Sequence, residues 1–119
     1  MIEEYKDIKQ EMSCFRRFFS GPDFDLMIWY SQDRIEITGY QIAYDKKFKE
    51  KVYTKKIENG KVVRSNKYND DLGSSITSIL KNNAGKVEIA LIEQVKNEIM
   101  SIDECIAEYI ERDIVEIRA

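Results

Sequence analysis

The sequence predicts an α+β domain: an antiparallel meander of four to five strands with two C-terminal helices packed on one face. Three observations carry this. Between Phe24 and Lys67, runs rich in β-branched and aromatic residues are separated by short turn-forming stretches. Asn59-Gly60, a dipeptide that accepts positive φ at both centres of a type I′ turn, lies inside that region. The last third repeats large apolar residues at steps of three and four. At 119 residues the chain is a single domain, 1–119, and its 43% apolar and 11% aromatic content, with one proline and five glycines, suits a compact core.

Residues 2–19 admit two readings. Tyr5, Ile8, Met12, Phe15 and Phe19 fit a helical stripe, whereas Ser13 to Phe19, ahead of the turn Ser20-Gly21-Pro22-Asp23, fits a first strand. Phe24 to Tyr30 and Ile35 to Tyr44 are the next strands, joined through the turn chemistry of Ser31-Gln32-Asp33-Arg34. Val52 to Glu58 and Lys61 to Lys67 flank Asn59-Gly60 as a second hairpin.

In the C-terminal third, Leu91, Val95, Ile99, Ile102, Ile106, Ile110, Ile114 and Ile117 form one stripe. One helix over 87–117 would be roughly 45 Å long, more than the roughly 35 Å diameter of a domain this size, and would need a coiled-coil-like partner. Ser101-Ile102-Asp103-Glu104 has the pattern of a capping box. Two helices meeting near Ser101 are therefore the favoured reading.

Arg16-Arg17-Phe18-Phe19, Phe24-Asp25-Leu26, Trp29 and Gly39 to Asp45, continuing through Asp70-Asp71 to Ile79-Leu80, resemble a family of small uncharacterised bacterial proteins. The resemblance implies no activity, cofactor or catalytic residue. It tilts residues 13–19 toward a strand.

Register turns the strands into surfaces. A two-residue loop at Gln32-Asp33 or a four-residue loop from Ser31 to Arg34 sets Tyr30 opposite Ile35, Ile28 opposite Ile37 and Leu26 opposite Gly39. Phe24, Leu26, Ile28, Ile35 and Ile37 then form the face for the helices. The other face carries Asp25, Met27, Trp29, Glu36, Thr38, Tyr40, Ile42 and Tyr44, among which Met27, Trp29, Glu36, Tyr40 and Tyr44 are the candidate interface, because Trp, Tyr and Met are enriched where proteins meet. Cover by an N-terminal segment, or plain cross-strand packing, is the alternative.

In the second hairpin, Lys55 falls opposite Arg64 with Tyr53 on the same face. Two like charges so placed call for something negative nearby: an internal carboxylate, a phosphate or an acidic partner. Tyr53, Lys55 and Arg64 are thus the candidate anion-binding residues. Net charge is −3 overall, but −4 over 1–45, +7 over 46–67 and −5 over 86–119. That division fits attraction between a basic hairpin and acidic helices, or a strip that tracks phosphates; the pI near 5.1 argues against a dedicated nucleic-acid domain.

Histidine is absent, which removes Ser–His–Asp and Cys–His nucleophile systems and imidazole metal sites. Glycines at 21, 39, 60, 73 and 85 are too widely spaced for a dinucleotide fingerprint or P-loop. Carboxylates at Asp23, Asp25, Asp45, Asp70 and Asp71 lack the spacing of a calcium loop and read as turn residues. No metal and no cofactor is expected. Cys14 and Cys105, 91 positions apart, read as reduced core thiols.

The acidic N-terminus has no apolar leader, and the longest apolar run, Leu26 to Tyr30, is too short to span a membrane. The expectation is a small cytoplasmic binding or assembly module, self-associating or binding a protein through the aromatic sheet face, with no membrane partner. Anion or nucleic-acid binding through the hairpin 46–67 is the alternative, and a small carboxylate-dependent enzyme ranks third.

Overall fold

The computed structural model describes residues 2–6, 8–10, 14–47, 49–68 and 86–119. Met12, Ser13, Asp70, Asp71, Ile79 and Leu80 and the glycines at 73 and 85, named above, lie outside those residues. The fold is α+β. Six strands form one sheet: β1 (Glu3–Tyr5), β2 (Phe15–Ser20), β3 (Phe24–Tyr30), β4 (Ile37–Tyr44), β5 (Lys51–Glu58) and β6 (Lys61–Tyr68). Each is antiparallel to its sequence neighbour, in the order β1-β2-β3-β4-β5-β6. Within the ambiguous N-terminal stretch, Glu3–Tyr5 and Phe15 to Phe19 are strand, and the short β1 brings the strand count one above the expected range.

The second hairpin closes as its turn dictates. Asn59 and Gly60 have φ of 52° and 76°, Glu58 faces Lys61 and Lys55 faces Arg64. The first hairpin does not. Ile28 pairs with Tyr40, rather than Ile37, and Leu26 pairs with Ile42, rather than Gly39. Tyr30 lies opposite Ile37, with a bulge between Trp29 and Tyr30.

The cause is a wider loop together with that bulge: the loop moves the partner of Tyr30 by two residues, from Ile35 to Ile37, and the bulge adds the third, so that Ile28 meets Tyr40. The Ser31 N–H donates to the Glu36 carbonyl, the Arg34 N–H donates to the Ser31 carbonyl, and the Asp33 carboxylate accepts from the Ser31 hydroxyl and the Ile35 N–H. Ile35 is held outside the sheet, 77% exposed, and is not a core residue. An odd displacement inverts a strand's faces, so Tyr40 and Ile42 join Phe24, Leu26 and Ile28 in the core.

The helices α1 (Ile89–Met100) and α2 (Glu104–Arg118) are broken where the sequence indicated. The cap differs from the expected one. Asp103, not Ser101, accepts the free N–H groups of Cys105 and Ile106, while the Ser101 hydroxyl donates back to the Glu98 carbonyl. Ile92, Val95 and Ile99 of α1 and Ile106, Ile110 and Ile114 of α2 are buried against Phe19, Leu26, Ile28, Ile42 and Tyr53. Ile102 falls in the break and is exposed. The two cysteines are not joined in a disulfide, and neither belongs to the core: Cys14 is half-buried, and Cys105 lies in the solvent-facing first turn of α2.

Candidate functional site

Both helices occupy one side of the sheet. Among the described residues, no helix or strand is stacked on the other side. Pairing places Tyr5, Phe18, Met27, Gln41 and Thr54 in one cross-strand row there, and Arg16, Trp29, Gly39, Lys56 and Val63 in the next. The Tyr5 and Phe18 rings meet edge to face at 5.9 Å. Gly39 leaves its row flat, and the Lys56 ammonium reaches across it to 5.7 Å from the Trp29 ring centroid. Phe18, Met27 and Trp29 are half-buried and Tyr5 is exposed.

The five candidate interface residues do not share this surface. Met27 and Trp29 do. Glu36 closes the loop before β4 and is exposed. Tyr40 and Tyr44 lie on the helix-covered side, because the register of β4 is displaced by an odd number of residues. Tyr40 is fully buried, and the Tyr44 hydroxyl donates to Asn66 Oδ1 at 2.9 Å. Tyr5 and Phe18 were missed as members of the surface because the strand nature of residues 2–19 was undecided.

Tyr53, Lys55 and Arg64 do share one face, and it is the face under α2. The Arg64 charge is met internally by carboxylates, and Lys55 is held by a phenol. Asp113, on the buried stripe of α2, accepts from the Tyr40 hydroxyl at 2.5 Å and the Tyr53 hydroxyl at 2.8 Å through Oδ2, and from Arg64 Nε at 2.9 Å through Oδ1. Arg64 also binds Glu116 at 2.7 Å. Lys55, only 5% exposed, donates to the Tyr109 hydroxyl at 2.7 Å. Burial, and then the adjacent Asp113 carboxylate, push both phenols well above their ordinary values. The signal for Asp113 was available: a carboxylate set among Ile106, Ile110, Ile114 and Ile117 on the apolar stripe.

A second polar cluster ties β1, β2 and β3 to the start of α2. Arg17 forks onto both Glu4 oxygens at 2.9 Å, and its Nη1 donates to Asp103 at 2.7 Å and to the Tyr30 hydroxyl at 3.2 Å. The Glu4 carboxylate raises Arg17, and Arg17 in turn holds Glu4 below its usual range. Burial alone would raise the Asp103 carboxyl, but Arg17 and the N–H groups it caps hold it low. Beside this cluster is an open cavity of about 700 Å³, whose lining mixes Arg17, Arg34 and Arg112 with Glu36, Asp103 and Glu108.

The acidic turn residues are engaged locally. Asp25 accepts from Ser20 and Lys46, and Asp45 pairs with Lys51. Among the described residues, no three carboxylate or thiol side chains gather as metal ligands, and no helix is long and apolar enough to cross a membrane. Comparison of the chain with protein-family models, curated proteins and solved structures found no match.

Proposed function

We propose that the protein is a small cytoplasmic binding or assembly module that forms a homodimer through the open face of its sheet. The observation behind this is the row Tyr5, Phe18 and Met27 beside Trp29, on a side where no described helix or strand is stacked. A contiguous apolar patch on a flat sheet is a liability unless something covers it. A second copy presents the same patch, so one surface serves as both halves of a two-fold interface. Two such sheets pack face to face at about 10 Å.

Nucleic acid is the less favoured partner. Lys55 and Arg64, which would have to meet phosphates, are turned onto Tyr109, Asp113 and Glu116. An enzymatic role has less behind it again, since the buried carboxylate Asp113 is saturated by Tyr40, Tyr53 and Arg64.

The test is sedimentation equilibrium of the parent beside Phe18→Glu and Met27→Glu, with folding monitored by circular dichroism. The parent is expected to sediment as a dimer and both folded variants as monomers. A parent that stays monomeric at high concentration, or variants that dimerise as the parent does, overturns the proposal.

A further inference from the structure

Among the cavities bounded by described residues, four have linings that differ in charge. The one beside Arg17 balances three arginines against three carboxylates. Two more, around Tyr44 and Asp45, also mix lysines with carboxylates. The fourth, of about 470 Å³, lies between β5, β6 and the entry to α1, and has Arg64 and Lys86 in its wall with no carboxylate among the described residues. Its remaining wall includes Val87, Ile89 and Ile117, an apolar side.

Asn66 also lines this cavity. It is 8% exposed, its Oδ1 is taken by the Tyr44 hydroxyl, and its Nδ2 has no hydrogen-bond partner. A buried amide donor without an acceptor is costly, and native structures seldom keep one without a reason. Lys86 forms no ion pair among the described residues and is exposed. Arg64 is held by Asp113 and Glu116, which fixes its position at the wall. One side of the cavity therefore offers donors and positive charge, and the other offers aliphatic surface. Pockets of this size that pair an apolar wall with a few convergent polar groups are the usual form of small-ligand sites.

We infer that this cavity binds a small amphiphilic carboxylate, its head group between Asn66 and Lys86, beside the internally paired Arg64, and its alkyl body against Val87, Ile89 and Ile117. The carboxylate supplies the acceptor that Asn66 lacks and the counter-charge that Lys86 lacks. The apolar wall distinguishes it from an inorganic anion. This site is on the helix side of the sheet and is independent of the proposed dimer face.

The experiment is a ¹⁵N-edited NMR titration of the full chain with octanoate, and separately with octanol and inorganic phosphate, following the Asn66 side-chain amide pair and the backbone signals of Val87 and Ile89. Octanoate is expected to shift these signals saturably, with octanol and phosphate each binding at least about tenfold more weakly. Lys86→Ala, an exposed position that leaves the fold intact, is expected to weaken octanoate about tenfold, the loss typical of one charge-assisted contact. Asn66→Asp, which places a negative charge at the head group, should abolish binding. No saturable shift at these residues overturns the inference. So does octanol or phosphate binding as tightly as octanoate, or unchanged affinity in Lys86→Ala.

Discussion

Replacing Asp113 with alanine removes the one carboxylate that joins α2 to three strands of the sheet. Tyr40 on β4, Tyr53 on β5 and Arg64 on β6 all donate to it. The Tyr40 and Tyr53 side chains are buried, so each hydroxyl left without an acceptor costs about 1–3 kcal/mol. Arg64 is about a third exposed, with 31% of its side chain accessible, and keeps Glu116, so its loss is largely screened by water. Losses within one network do not add in full, and breaking a buried charged pair costs about 3–5 kcal/mol. The expected destabilisation is about 4 kcal/mol, a large share of the roughly 5–15 kcal/mol that holds a domain together.

The assay is urea unfolding followed by circular dichroism. With a slope of about 2 kcal/mol per molar, the midpoint should fall by about 2 M. In a Tyr40→Phe, Tyr53→Phe background, the same Asp113→Ala change should cost less than half as much, because no buried hydroxyls are then orphaned. A midpoint shift below about 0.5 M in the parent background would refute this reasoning and mean that the hydroxyls find other acceptors.

The remaining predictions concern the ends and the middle of the sheet. Glu4 and Asp103 have carboxyls held below the ordinary carboxylate range, so their contribution is present above that range and is lost as pH falls through the depressed values. Thermal unfolding from pH 7 to pH 2 should show this acid limb, and Arg17→Met should flatten it while lowering stability at pH 7; an unchanged limb would place the titrating groups elsewhere. Tyr40 and Tyr53 are raised above 10.0, so the unfolded chain ionises first and stability should fall as pH rises above about 10; a flat profile to pH 11.5 would contradict this. Gly39→Ala would put a methyl group 2.6 Å from the Lys55 carbonyl oxygen and 2.9 Å from Lys56 Cα. It should cost about 1–3 kcal/mol by forcing β4 from β5, read as a lower unfolding midpoint, whereas Gly21→Ala, with no contact under 3.5 Å, should change little.

The two hairpins show what makes register legible. Asn59-Gly60 admits one loop length, and once the loop is two residues every cross-strand partner follows, down to Lys55 against Arg64. Ser31 to Glu36 contains the right residue types for a turn but leaves its closing residue open. Ile35, β-branched and next to Glu36-Ile37, has the composition of a strand residue, yet the Asp33 carboxylate holds its N–H in the loop. That bond widens the loop by two residues, which alone would keep the faces; the bulge between Trp29 and Tyr30 adds one more, and it is this odd residue that changes which side of the sheet Tyr40 and Tyr44 occupy, and with it the membership of the candidate surface.

The helix break was legible from the length of the stripe and from the polar residues around Ser101. Which of them caps α2 depends on Arg17, 86 positions away, whose guanidinium holds Asp103 in place. The inward turn of the basic hairpin was legible as charge division along the chain. The partner that receives it was legible only through the helix period: Asp113 is one of nine acidic residues in 86–119, and its place on the buried stripe alone sets it apart.

Trp29 is the only tryptophan, and it lies on the open face, so its fluorescence reports that surface alone. The most direct test of self-association through this face is acrylamide quenching of Trp29 across a dilution series, with sedimentation at each concentration. Quenching is expected to weaken as the protein passes from monomer to dimer, with the same midpoint in both measurements. Quenching that is independent of concentration, while the sedimenting mass doubles, would put the interface elsewhere on the molecule, and a mass that never changes would contradict self-association itself.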